Sequence, residues 1–175
     1  MRKLDRGCAW LIGCLLLVIA HAALALPPPP QSWQHDIDRL VADDSAHPSA
    51  RHGVLFVGSS SIRMWTTLTA DFPGVPVIDR GFGGSAIADA TYYADRIVVP
   101  YRPRLIVTYA GDNDIAEGCT PRQVLDAFET FIARVRRDLP DVAVAYISIK
   151  PSIARWSMWP RMHEANRLIA AWSKT

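Results

Sequence analysis

Three hydroxyl side chains, Ser59, Ser60 and Ser61, stand directly after the apolar run Val54-Leu55-Phe56-Val57-Gly58. A serine hydroxyl is a poor nucleophile at neutral pH. It needs a base within hydrogen-bond reach and donors aimed at the oxygen that becomes negative. A strand-to-helix turn suits such a serine, because the bend exposes Oγ and backbone N–H groups lie beside it. Two later stretches carry complementary groups. Gly81-Phe82-Gly83-Gly84-Ser85 offers backbone N–H groups that a substrate can approach closely, since glycine has no side chain. Gly111-Asp112-Asn113-Asp114 offers, in Asn113, an amide donor that stays neutral at every pH. A nucleophile, two backbone donors and one side-chain donor together make an acyl-transfer site. Two other readings stand beside it. The serines can be plain helix caps, and Gly81 to Ala86 fits a loose dinucleotide-binding fingerprint, although it follows the second strand rather than the first.

These residues need elements that hold them together, and the pattern of the chain supplies them. Short apolar runs alternate with helix-like stretches. Residues 53–58, 75–81, 103–111 and 142–150 read as strands. Residues 32–44, 61–72, 86–98, 120–139 and 158–173 read as helices. The clearest helix begins with Thr120 as cap and Pro121 in the first turn, with Val124, Phe128, Phe131, Ile132 and Val135 on one face. Strict alternation predicts an α/β domain with a parallel sheet and helices on both faces. In such sheets ligands bind at the carboxyl ends of the strands, near a switch in strand order. The three candidate stretches all fall at those ends, and so does Ser148-Ile149-Lys150-Pro151-Ser152.

The first 25 residues stand apart. Arg2, Lys3 and Arg6 precede an apolar run that ends in Ala23-Leu24-Ala25, the pattern of a cleaved secretory signal. Residues 26–31 are a proline-rich linker, and the globular domain is expected over residues 32–175. Removing the leader takes away its net positive charge, so the remaining chain is formally neutral and gives no electrostatic reason to bind nucleic acid. The chain is expected to be exported, periplasmic or secreted, with no membrane span after cleavage. Cys119 is then the only cysteine left, which excludes an intrachain disulfide and points to a structural thiol. No cluster of His, Cys or acids has ligand spacing, so neither a metal nor an organic cofactor is implied.

The three blocks together resemble the SGNH, or GDSL-type, hydrolases over about residues 54–166. Gly58-Ser59-Ser60 matches the family's G-D-S block, the glycine-rich stretch its second block, and Gly111-Asp112-Asn113-Asp114 its G-x-N-D block. The resemblance implies a flavodoxin-like three-layer fold, an esterase or acyl hydrolase, and small-molecule ester, carbohydrate-ester or lipid-ester substrates. It implies that Ser60 is the nucleophile, and that the Gly84 and Ser60 amides and Asn113 form the oxyanion hole. Two departures stand out: Ser59 where the family has Asp, and Asp79 where an Asn is expected. Asp114 is expected to be a structural hydrogen-bonding residue. Trp156 and Trp159 are expected either to line a pocket or to pack in the core.

The family's last block, Asp-x-x-His after a fifth strand, has no counterpart near the end of this sequence. The chain is therefore expected to lack the last strand, with order 2-1-3-4 and the fourth strand as an open edge, and to be C-terminally incomplete, so that its activity is impaired. A non-catalytic exported binding domain is the alternative. Asp44-Ser45-Ala46-His47 has the family's spacing but precedes the first strand. A strand of about six residues would separate it from Ser60 by roughly 20 Å, whereas a hydrogen bond needs about 3 Å. His163 lies inside a helical run, and His35 and His52 are equally misplaced.

Overall fold

The computed structural model describes residues 33–46 and 52–174. The leader, the proline-rich linker and His47 lie outside the described residues. Helix α1 (Gln34–Ala46) precedes strand β1 (Val54–Gly58). Then come α2 (Ser60–Arg63), α3 (Leu68–Asp71), β2 (Val77–Gly81), α4 (Ile87–Tyr92), α5 (Ala94–Ile97) and β3 (Leu105–Tyr109). The chain continues through α6 (Asp112–Ala116), α7 (Pro121–Asp138), β4 (Ala143–Tyr146) and α8 (Trp159–Trp172).

The four strands form one parallel sheet in the order β2-β1-β3-β4. β1 lies inside the sheet, and all five of its residues are buried, as its unbroken apolar sequence requires. The register places Gly58 opposite both Gly81 and Tyr109, so the ends of β2, β1 and β3 are level. The larger core packs α1, α4, α5, α7 and α8 on one face, around Leu55, Val57, Ile78 and Ile106. The opposite face is smaller, with Phe56, Ile62, Leu68 and Tyr109 at its centre and Trp65 and Phe72 against them.

Three sequence readings are corrected. The helices expected over 61–72 and 86–98 are each two short helices; in the first the chain turns at Met64–Thr67, where Trp65 packs down on Phe56 at 5.9 Å, and the second breaks at Tyr93. The fourth strand ends at Tyr146 rather than Lys150. Beyond it Ile149 pairs with a side chain instead of a strand: its N–H donates to Asn166 Oδ1 at 2.8 Å and its carbonyl accepts from Asn166 Nδ2 at 2.9 Å. The long helix α7 starts as read, with Thr120 accepting from the Gln123 N–H at 3.3 Å and Gln123 Oε1 accepting from the Thr120 N–H at 2.8 Å. This reciprocal cap satisfies amides that the first turn otherwise leaves unpaired.

Asp44 accepts from Arg80, which pairs in register with Val57, and from the Tyr101 hydroxyl, and the Arg80 guanidinium lies 4.3 Å from the centre of the Tyr101 ring. This network fastens α1 to β2. It also fixes Asp44 beside the Tyr101 hydroxyl, while the Tyr101 carbonyl accepts from the His52 N–H.

Candidate active site

Gly58 is the residue that lets the site form. Its φ is +146°, and a methyl group there would lie 1.9 Å from the Tyr109 carbonyl oxygen. Only a residue without a side chain lets the chain leave β1 so close to β3. Ser59 follows, fully buried, and its N–H donates to the Tyr109 carbonyl at 3.0 Å. Its own carbonyl accepts from the N–H groups of Ile62 and Arg63, while its hydroxyl makes no bond to any described residue. Ser59 thus starts α2 through its backbone, not its side chain. Plain hydroxyl capping does not account for the serine run.

Ser60 is the first residue of α2 and is half-buried. The N–H groups of Ser60 and Gly84 are not engaged by any described residue. The hydroxyl of Ser60 is likewise without a partner among the described residues, whereas that of Ser61 accepts from Lys150 Nζ at 2.6 Å. A methyl group on Gly81 would meet the Arg63 nitrogen at 2.2 Å, so α2 lies directly on the end of β2. The two glycines bring the serine turn between its neighbouring strands.

Asn113 is buried and held at both ends. Its Nδ2 donates to the Ser85 carbonyl at 3.0 Å, and its Oδ1 accepts from Arg155 at 2.8 Å. Arg155 also pairs with Asp112 at 2.9 Å. One Nδ2 hydrogen remains unassigned, since an amide nitrogen has two. Gly84 lies against the same group: a Cβ built there would be 3.7 Å from Asn113 Nδ2, with no nearer contact. Ser60, Gly84 and Asn113 therefore occupy the level ends of three adjacent strands. The residues missed by sequence reasoning are Arg155 and Lys150. Both lie just after β4, the strand end rich in small and polar residues, and cations at that place were the available signal.

The acids that follow β2 and β3 make local hydrogen bonds. Asp79 Oδ1 accepts from the Gly81 N–H at 2.8 Å, and burial pushes its pKa up, against the pull of that bond and of Arg80. Asp114 Oδ1 accepts from the Ile87 N–H at 3.2 Å, as expected of a structural residue. Its burial, opposed by that bond and reinforced by Glu117 and Asp89, pushes its pKa up to about 6. Burial also raises the Cys119 thiol, which weakens it as a nucleophile. His35, His52 and His163 are exposed, and His163 packs edge-on against Trp159 at 5.7 Å. Trp159 joins the core while Trp156 is 63% exposed. Among the described residues no three His, Cys, Asp or Glu side chains converge as a metal site, and no helix is long and apolar enough to cross a membrane.

A separate cleft of about 620 Å³ runs along the outer edge of β4, between α7 and α8, lined in part by Phe128, Val144, Tyr146 and Trp172. It contains none of the three candidate residues. Size alone does not mark chemistry, and the convergent donors are the better guide to the site.

The fold recurs in solved structures of low sequence identity. A GDSL-like lipase from Bacteroides thetaiotaomicron superposes with a TM-score of 0.67 at 20% identity, over 79% of this chain and 73% of that one. A member of the lipolytic G-D-S-L family from Veillonella parvula gives 0.59 at 16%, over 69% and 72%. An acetyl xylan esterase from Geobacillus stearothermophilus gives 0.52 at 14%, over 71% and 73%. No curated protein matches the sequence significantly. Residues 49–175 match the GDSL-like Lipase/Acylhydrolase family, a span that takes in all three strand-end blocks and the sheet that aligns them. On that match, the chain belongs to the GDSL-like lipase/acylhydrolase family.

Proposed function

We propose that the protein is an exported serine esterase that acts on small acyl esters, O-acetylated sugars or lipid esters, with turnover impaired because no described side chain hydrogen-bonds the Ser60 hydroxyl as a base. Ser60 Oγ attacks the ester carbonyl. The oxygen that becomes negative is received by the N–H groups of Ser60 and Gly84 and by the second hydrogen of Asn113 Nδ2. Collapse breaks the bond to the alcohol, which leaves with a proton, and water then hydrolyses the acyl-serine. The observation that supports this reading is the approach of Gly84 to Asn113 Nδ2, at 3.7 Å from the Cβ position, beside a serine whose own N–H is unengaged. Donors fixed before the reaction are the larger part of such catalysis, and loss of one typically costs about 100- to 1,000-fold in turnover.

A second reading, a non-catalytic exported binding domain, draws on the Ser60 hydroxyl, which no described residue hydrogen-bonds. Fluorophosphonate labelling and p-nitrophenyl acetate hydrolysis separate the two. The esterase reading requires labelling and turnover that Ser60→Ala abolishes. Ester binding without labelling or turnover would replace it with the binding reading. Export is tested separately, by the amino-terminal sequence of the protein recovered outside the cytoplasm.

A further inference from the structure

The segment after β4 carries two cations to the site, and they differ. Arg155 is neutralised by Asp112 at 2.9 Å and holds Asn113. Lys150 is not neutralised. Its Nζ donates to Ser61 Oγ at 2.6 Å and to the Tyr109 hydroxyl at 3.2 Å, and lies 4.7 Å from the centre of the Tyr109 ring. Both partners are neutral hydroxyls, and no Asp or Glu among the described residues forms an ion pair with it. An ammonium has three donors, so one remains for a ligand. Lys150 is exposed, its head is held by the two hydroxyls, and Asn166 clamps the backbone of Ile149 immediately before it.

This uncompensated charge touches the residue next to the proposed nucleophile. Consecutive Cα atoms are about 3.8 Å apart, so the ammonium lies within reach of the acyl or alcohol part of an ester bound at Ser60. We propose that Lys150 forms an anion subsite of the same site, selecting esters that carry a carboxylate two to four carbons from the ester carbonyl. The inference rests on the reading of Ser60 as nucleophile. A lone ammonium is a point charge rather than a fork. It therefore suits a singly charged carboxylate better than a phosphate that demands several donors.

The test compares p-nitrophenyl acetate with mono-p-nitrophenyl glutarate, and measures glutarate against glutaramide binding to the Ser60→Ala chain by calorimetry. A charge-assisted contact predicts about a tenfold preference for the glutarate ester in kcat/KM, and measurable binding of glutarate but not glutaramide. Lys150→Met brings the ratio to about one and removes glutarate binding, while Lys150→Arg keeps most of both. Should Lys150→Met fail to fold, 0.5 M sodium chloride applied to the native chain lowers the ratio through screening. Equal rates on both esters with no glutarate binding overturn the anion subsite and leave the esterase reading standing. Lys150-dependent glutarate binding with neither turnover nor Ser60 labelling overturns the esterase reading and supports the subsite. Absence of both hydrolysis and binding overturns the subsite.

Discussion

A single methyl group placed on Gly81 should disable the serine without touching it. A Cβ there would lie 2.2 Å from the Arg63 nitrogen and 2.7 Å from the Arg63 Cα and the Ile62 carbonyl carbon. All three are backbone atoms of α2, so no side chain can swing away. Carbon contacts are comfortable near 3.5 Å, which requires α2 to move by roughly 1 Å. Overpacking of this kind costs about 1–3 kcal/mol. Misplacing a reacting group by about 1 Å can cost about 100-fold in rate. Gly81→Ala is therefore expected to lose about 1–3 kcal/mol in a urea titration and to label with fluorophosphonate about 100-fold more slowly. Gly84→Ala is the control for the methyl group itself, since its nearest contact, Asn113 Nδ2, is an ordinary 3.7 Å away. It should fold with native stability. Native labelling rate and stability in Gly81→Ala would refute the placement of α2 or the role of Ser60.

Three further outcomes follow from the geometry. Asp114 has a folded pKa of about 6 against 3.8 when free, so between those values the unfolded chain has lost the proton that the folded one keeps. Its contribution to stability falls as pH rises through that window, by about 3 kcal/mol, and urea titrations should show Asp114→Asn gaining on the native chain from pH 4 to pH 7; a parallel pH dependence in both would refute it. Arg155→Lys keeps a charge near Asp112 but cannot bridge to Asn113 as a fork, so Ser60 labelling should slow by about tenfold or more, and an unchanged rate would show that Asn113 needs no such support. Thr120→Ala removes the reciprocal cap of α7 and should cost about 1 kcal/mol, read as a lower unfolding midpoint.

Much of the sheet was legible because buried parallel strands are unbroken apolar runs. Val54–Val57 reads as a buried strand once a helix pattern follows it, and alternation then predicts a parallel sheet; the strand order was implied by the family resemblance and is the order observed. The site was legible as three strand-end blocks because glycine and small polar residues there exceed what turns require. What escaped reading depended on contacts remote in sequence. The break between α2 and α3 is set by Trp65 packing on Phe56. The early end of β4 is set by Asn166, which replaces a strand for Ile149. Arg155 reaches Asn113 from 42 positions away, a pairing that no periodicity reveals.

The position of β4 at the sheet edge divides the site by rigidity. β1 has hydrogen-bonded neighbours on both sides, while β4 has one, spans four residues and alternates between exposed and half-buried positions. Amides with two strand partners and full burial open only with much of the fold, and edge amides open locally at far lower free energy. Hydrogen exchange should therefore be slowest in Leu55–Val57 and fast in Ala143–Tyr146. Ser60 is mounted on the strand that opens last. Lys150 and Arg155 follow a short edge strand, so the proposed anion subsite and the support of Asn113 can yield on a faster timescale than the serine proposed to attack.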